Sequence, residues 1–304
     1  MGHQERGIWI GVAAYTIWGV APAFWKLIDE VPALEQLAHR VLWAAPLLLI
    51  AIAARGRLEI LRAALRHPGS LRLMVVAALF ISVNWLTFIW AVITDRVIDI
   101  SLGYFINPLL LVALGVFVLR ERLTRAQTAS IALAAAGVAY MAVRLGSLPW
   151  ISLVLAGTFG VYGLLKKSRQ AAPALEAVFG ETSLMAIPGL IFVIALAGRG
   201  EGTFGGDVGT SLLLVAAGAV TATPLLLFGI AAQRIPLATI GILQYLAPTL
   251  QFLLGVFAYG EEVTRDQLIG FILVWLALAL YTADNLRAAR AARLATTAVP
   301  AREV

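Results

Sequence analysis

The chain of 304 residues contains no cysteine. That excludes disulfides, thiolate metal sites and a cysteine nucleophile. Charge is scarce as well. Asp, Glu, Lys and Arg make up 13 % of the residues, where an ordinary soluble domain carries about 25 %. The three histidines, His3, His39 and His67, are too scattered to suggest a metal cluster, and no metal or cofactor is expected. No G-x-x-x-x-G-K-[ST] run occurs, so nothing supports ATP-driven work within this chain. The first apolar stretch lacks an A-x-A-like cleavage site after a short core. It reads as a retained helix and not as a signal peptide.

What is present is apolar. Hydrophobic residues make up 61 % of the chain. Runs of about twenty apolar residues recur, each long enough to cross a bilayer as a helix. The expected fold is all-α and integral to the membrane, with ten spans near 7–27, 32–54, 71–94, 98–119, 126–144, 149–165, 174–197, 210–232, 238–259 and 266–284. The net charge of +6 fits cytoplasmic loops facing anionic lipid better than it fits nucleic acid. Membrane lipids are therefore expected neighbours and nucleic acid is not. Between the second and third spans, Leu58, Leu61 and Leu65 share one face of a short segment, which predicts a helix lying on the membrane surface. Residues 286–304 read as a basic cytoplasmic tail, largely disordered.

The stretch Tyr104–Gln127 returns as Gln244–Gln267. At an offset of 140, Pro108, Leu110, Leu114, Gly115, Val116, Phe117, Glu121, Thr124, Arg125 and Gln127 all fall on identical residues. Composition alone would give about two matches over that length, so the chain reads as an internal duplication. Its units are 1–145 and 146–285. Thr124-x-x-Gln127 and Thr264-x-x-Gln267 are capping boxes that start the fifth and tenth helices. With the N-terminus placed in the cytoplasm, 17 Lys and Arg residues fall inside and 5 outside. The excess puts both termini inside. Five helices per unit is an odd number, so the halves face opposite ways. Such an inverted repeat is a mark of secondary transporters, with the solute site near the midplane.

The segments Ala14-Tyr-Thr-Ile-Trp-Gly19, Val31-Pro-Ala-Leu-Glu35, Ala38-His-Arg40, Gly103-Tyr-Phe-Ile-Asn-Pro108 and Gln244-Tyr-Leu-Ala-Pro-Thr249 resemble the RarD-type permeases. These are a branch of the EamA family within the drug/metabolite transporter superfamily. The resemblance covers about residues 7–285. It implies ten transmembrane helices in two inverted halves, a bacterial inner (plasma) membrane, and export or exchange of a small metabolite or drug. It implies no particular substrate. The glycine-rich loop 198–209 matches the family less well than the first half does.

Candidate solute-binding residues are Tyr15, Trp18, Asn84, Trp85, Tyr104, Asn107, Tyr162, Gln244 and Tyr245. They combine amides for orientation with aromatics for bulk, which suits a small amphipathic solute. Packing or an interfacial belt is the competing reading for each aromatic. Pro108 and Pro248 are expected to bend their helices and free the carbonyls of Tyr104 and Gln244 toward a wet interior. Charges within spans are costly and so usually functional. His39, Arg40 and Glu181 are candidates for gating or coupling, with Glu181 or His39 as a proton carrier. The alternative is that Arg40 snorkels to the outer headgroups and Glu181 reaches the inner boundary. Glu35 and Glu176 read as boundary residues. Glu121 and Glu261 read as loop-locking partners of the Arg four positions on. Gly115 and Gly255 read as sites of close helix contact.

The leading expectation is a secondary transporter and no enzyme, possessing a small-molecule partner and small-residue faces that would allow a homodimer. The alternative is an integral-membrane enzyme acting on a lipid or isoprenoid. Its only carboxylate pairs, Asp95/Asp99 and Glu261/Glu262, have no neighbouring histidine.

Overall fold

The computed structural model describes residues 2–94, 97–145, 150–168, 171–260 and 264–297. The described chain is helical: α1 (His3–Trp25), α2 (Ala33–Ala54), α3 (Leu58–Arg66), α4 (Pro68–Ile93), α5 (Val97–Phe117), α6 (Arg125–Leu145), α7 (Trp150–Lys166), α8 (Ala174–Arg199), α9 (Val208–Ala232), α10 (Leu237–Gln244), α11 (Leu246–Tyr259) and α12 (Arg265–Thr297). A short 3₁₀ turn, Lys26–Ile28, follows α1. Eight stretches are long and apolar enough to cross a membrane: α1 with its 3₁₀ turn, α2, α4, α6, α8, α9, α10 with α11, and the first part of α12. Gly103–Phe117 of α5 and the whole of α7 are apolar but shorter. Large aliphatic residues such as Ile50, Leu79, Ile187, Ile191 and Ile194 stand exposed on the outside of the bundle, as lipid contact requires. This is a multi-pass membrane protein.

Local chemistry sets the helix starts. α2, α8 and α10 each begin directly after a proline, Pro32, Pro173 and Pro236, all at φ −54° with ψ near 140°. The ring fixes φ and the residue before it is pushed from the helical region, so the helix begins there. Asp207 caps α9 by accepting from the Thr210 N–H at 2.7 Å. Those N–H donors hold its carboxyl below the ordinary carboxylate range. Both capping boxes form: Thr124 N–H donates to Gln127 Oε1 at 2.9 Å, and Thr264 N–H to Gln267 Oε1 at 3.0 Å.

One expectation needs correction. The span 238–259 is not one helix bent at Pro248. It breaks at Tyr245, whose N–H reaches back only three residues, to Ile242, at 3.2 Å. Pro248 then sits in the first turn of α11, where a missing N–H is harmless. The short helix expected after the second span forms as α3, with Leu61 and Ala64 packed inward and Leu58 and Leu65 exposed. α12 runs on past its apolar part as far as Thr297, on Ala, Leu and Arg residues that favour helix.

α2 lies centrally, against α8 and α9. α1 packs on α9, α10 and α11, α5 on α7 and α10, and α4 on α7 and α8, while α6 and α12 form a pair of their own. These contacts come in matched sets under the 140-residue offset: α1 on α9 answers α7 on α4, and α2 on α9 answers α8 on α4. Helices α2 and α8 run antiparallel, because the start of each meets the loop after the other. The crossing of α5 and α10 is tight. A Cβ on Gly241 would lie 2.5 Å from the Pro108 carbonyl oxygen, so only glycine fits there.

Candidate functional site

Helix α1 carries Tyr15, Trp18, Pro22 and Trp25 at i, i+3, i+7 and i+10, which places them on one stripe of a 3.6-residue helix. Tyr15 and Trp18 join Phe159 and Tyr162 of α7 and Phe228 of α9 in one aromatic cluster. Trp18 is 6.0 Å from Phe159 and 5.9 Å from Phe228, centroid to centroid, and Tyr162 stacks on Phe228 at 5.9 Å. Tyr15 is fully buried, and its hydroxyl has no partner among the described residues. Trp18 is half-buried and its carbonyl accepts from Gln251 at 3.2 Å.

One end of this cluster is charged. Tyr162 donates its hydroxyl to Glu181 Oε2 at 3.0 Å, and Lys166 Nζ reaches both Glu181 oxygens at 2.5 and 2.6 Å. Lys166 is 2 % exposed and Glu181 4 %. A small recess lined by Ser70, Met74, Ala77, Leu165, Ala172 and Ala177 leads to this pair. The pair compensates two charges that would each be expensive alone. Lys166 is the residue that sequence reasoning missed. It was counted as a loop charge, yet it lies in the last turn of α7 and folds back onto α8. Its fifteen-residue distance from Glu181 carries no periodic signal.

Toward the start of α2 lies a second group. The Arg40 guanidinium carbon sits 5.0 Å from the centroid of the Trp25 ring and 4.3 Å from that of Trp85. Its Nε donates to Thr221 Oγ1 of α9 at 3.0 Å. Tyr104 is close enough to interact electrostatically with Arg40 and lies 6.3 Å from Phe88. Arg40 is held between two indoles. His39, one position earlier, faces elsewhere. Its Nδ1 accepts from Trp43 Nε1 at 3.2 Å, its Nε2 is 3.8 Å from Glu35, and its ring stacks on Phe204 at 4.9 Å.

The two carboxylates related by an offset of 141, Glu35 and Glu176, are both buried. Glu35 accepts from the Thr203 N–H at 2.8 Å and from its hydroxyl at 3.0 Å. Glu176 takes Arg57 in a two-pronged bond at 2.7 and 2.9 Å. Thr203 follows α8 and Arg57 follows α2. Each carboxylate is thus held by the loop after the other helix, at opposite ends of the α2–α8 pair. The glycine-rich loop 198–209 supplies Thr203 and Phe204, a role that its composition did not announce.

Where α5 meets α10, Asn107 and Gln244 are buried, with Asn107 Oδ1 and Gln244 Oε1 lacking partners among the described residues. Tyr245 donates to the Phe105 carbonyl at 3.2 Å. Asn84, by contrast, brackets α4 to α7, donating to the Leu155 carbonyl at 2.8 Å and to Thr158 at 2.9 Å. Glu121 does not pair with Arg125. It accepts from the N–H groups of Leu237 and Ala238 at 2.7 and 2.9 Å and so caps α10, where the helix dipole favours an anion. A Cβ on Gly115 would lie 2.6 Å from the Glu121 carboxylate, so this glycine makes room for the cap. Lys167 stands 3.8 Å from Glu121 and donates to the Ile235 carbonyl at 2.6 Å. Burial lowers its pKa, and Glu121 opposes that shift. Glu261, Glu262 and Asp95 lie outside the described residues, as does the Asp99 side chain.

The described residues form a bundle of apolar helices around a buried, partly charged aromatic cluster, and the comparisons give its class, a membrane transporter. The EamA-like transporter family matches residues 5–143 and again residues 148–283; the chain belongs to this family. It is 45 % identical to Protein RarD of Streptomyces exfoliatus over 99 % of this chain and 98 % of that one. It is 40 % identical to Protein RarD of Escherichia coli K12, covering 93 % and 95 %. An uncharacterized transporter of Vibrio cholerae is 42 % identical over 96 % of both chains. A solved crystal structure shares the fold, with a TM-score of 0.69 at 22 % identity, over 90 % of this chain and 96 % of that one.

Proposed function

We propose that the chain is a secondary transporter that moves a small metabolite or drug across the bacterial plasma membrane by alternating access. Its ten membrane helices form two inverted five-helix repeats, 1–145 and 146–285, with both termini in the cytoplasm. The observation that carries this reading is the reciprocal pair of locks, Glu35 on Thr203 and Glu176 on Arg57. Each joins a helix of one half to a loop of the other, and the two sit at opposite ends of α2 and α8. Rocking the halves about a midplane site breaks one lock while sparing the other. In this orientation Glu35–Thr203 is the outer lock and Glu176–Arg57 the inner one.

The Lys166–Glu181 pair is the proposed proton-coupling site. A proton on Glu181 removes the counter-charge of a buried lysine, which changes the free energy of that helix contact by several kcal/mol. Such intramembrane acid–base pairs serve proton relays in transporters. Tyr15, Trp18, Trp85, Tyr104, Asn107, Gln244 and Tyr245 form the proposed solute path, with Pro108 and Pro248 setting the backbone around it.

Counterflow of candidate metabolites in proteoliposomes, with and without a pH gradient, tests the proposal. Protein-dependent flux that a proton gradient accelerates supports it. No flux across a broad panel, with turnover of a lipid substrate instead, would overturn it in favour of an enzyme.

A further inference from the structure

We propose that the solute carries a carboxylate, which docks on Arg40, and a flat apolar body, which lies along the Trp18–Trp25–Trp85 wall. This rests on the transporter reading only in taking the cleft between the halves as the solute's path.

The argument starts from charge. Arg40 is eighth in α2, about 10 Å along the helix from its start at 1.5 Å per residue. A guanidinium at that depth is costly unless it faces water, protein dipoles or an anion. Among the described residues no carboxylate pairs with it. Glu35, one turn earlier on α2, is held by Thr203. Glu181 of α8 belongs to Lys166. α9 offers Thr221, and α4 and α1 offer only the indoles of Trp85 and Trp25. Tyr104 of α5 is the remaining titratable neighbour.

The geometry then selects the ligand. The Trp25 and Trp85 rings pack against the guanidinium, and Thr221 takes Nε. What remains is the edge bearing the two terminal nitrogens. That edge matches two parallel acceptor oxygens, the form of a carboxylate. A neutral carbonyl gains only a single weaker hydrogen bond from it, and an ammonium is repelled. The walls beside it are the half-buried Trp25 and Trp85, and Trp18 stands two turns before Trp25 on the same stripe of α1; such ring faces stack with a planar body.

Intrinsic tryptophan fluorescence of the purified protein, titrated with 2-naphthoate and separately with its neutral isostere 2-naphthamide, reads the site directly. Wild type is expected to bind the carboxylate at least tenfold more tightly than the amide. Arg40→Gln is expected to bring the carboxylate down to the amide's affinity, and a melting temperature and circular dichroism spectrum close to wild type's report that the variant is folded. Arg40→Lys keeps the charge without the fork and is expected to retain part of the preference. Equal affinity for both probes in wild type would overturn the inference, with no variant needed. So would a preference that survives Arg40→Gln. Repeating the titration with added phosphatidylglycerol tests a lipid phosphate as the occupant instead; loss of the preference there would also overturn it. In proteoliposomes, flux of the amide without any carboxylate preference sinks this inference but spares the transporter. A preserved binding preference with no flux of either probe or of any compound in the broad panel does the reverse.

Discussion

Tyr245 donates its hydroxyl to the backbone carbonyl of Phe105 at 3.2 Å, and the two positions are equivalents under the 140-residue offset. The bond lies where α5 crosses the break between α10 and α11, so the duplicated segments touch one another near the prolines that mark them. Tyr245→Phe is expected to leave a buried carbonyl short of a donor, at about 1–2 kcal/mol. A lowered melting temperature in detergent, with the fold intact by circular dichroism, is the check.

The inner lock predicts a coupling energy. Arg57→Ala leaves Glu176, fully buried, without its cation. Arg57 is itself one-third exposed, so the loss is expected at about 2–3 kcal/mol, below that of a fully buried pair. Glu176→Gln alone should cost less, and the double variant little more than the worse single. Additive losses in a thermal double-mutant cycle would show that the two do not act together.

The same lock predicts a change in access. Because the chain has no cysteine, Ala77→Cys gives a single thiol in the recess beside Lys166 and Glu181. Adding Arg57→Ala is expected to raise its labelling rate by a membrane-impermeant maleimide several-fold in inside-out vesicles. The outer counterpart, Thr203→Val, is expected to leave or lower that rate. Equal rates in all three proteins would remove the lock from the gating scheme.

Glu181→Gln strands the Lys166 ammonium in a buried place and should impair both stability and proton-driven flux. Pairing it with Lys166→Met removes the stranded charge. The double variant is expected to regain most of the lost melting temperature yet show counterflow that ignores a pH gradient. Full gradient-driven uptake by Glu181→Gln would end the coupling role.

Glu121 is expected to act on α10 and not on its own loop. Glu121→Gln keeps the size of the side chain but loses the charge that caps the Leu237 and Ala238 N–H groups. About 1 kcal/mol of stability should go with it. Arg125→Ala should change nothing of that kind. The two melting temperatures decide between the cap and the loop pair.

Much of this was legible because membrane burial writes itself into one dimension. Long apolar runs set where helices can be. Thr124, Gln127, Thr264 and Gln267 act within three residues, so the capping boxes followed from spacing alone. The aromatic spacing of Tyr15 with Trp18 and of Phe159 with Tyr162 put each pair on one face, and the structure joins both pairs in one cluster. Spacing failed where a charge finds its partner across helices. Arg40 to Thr221, Glu35 to Thr203, Arg57 to Glu176 and Lys166 to Glu181 span between 15 and 181 residues, and no local rule links them. The Glu121–Arg125 pairing was a local rule applied where a more distant helix start competed better for the carboxylate.

The sequence by itself therefore determined the membrane class, the family resemblance and most helix positions, since hydropathy and capping depend on neighbours along the chain. Only the tertiary structure decided which buried charges are paired, which loop holds which helix, and that Arg40 is clasped between Trp25 and Trp85 with no carboxylate beside it among the described residues. Those depend on which helices become neighbours in space, and a buried charge takes whatever partner the packing brings within reach.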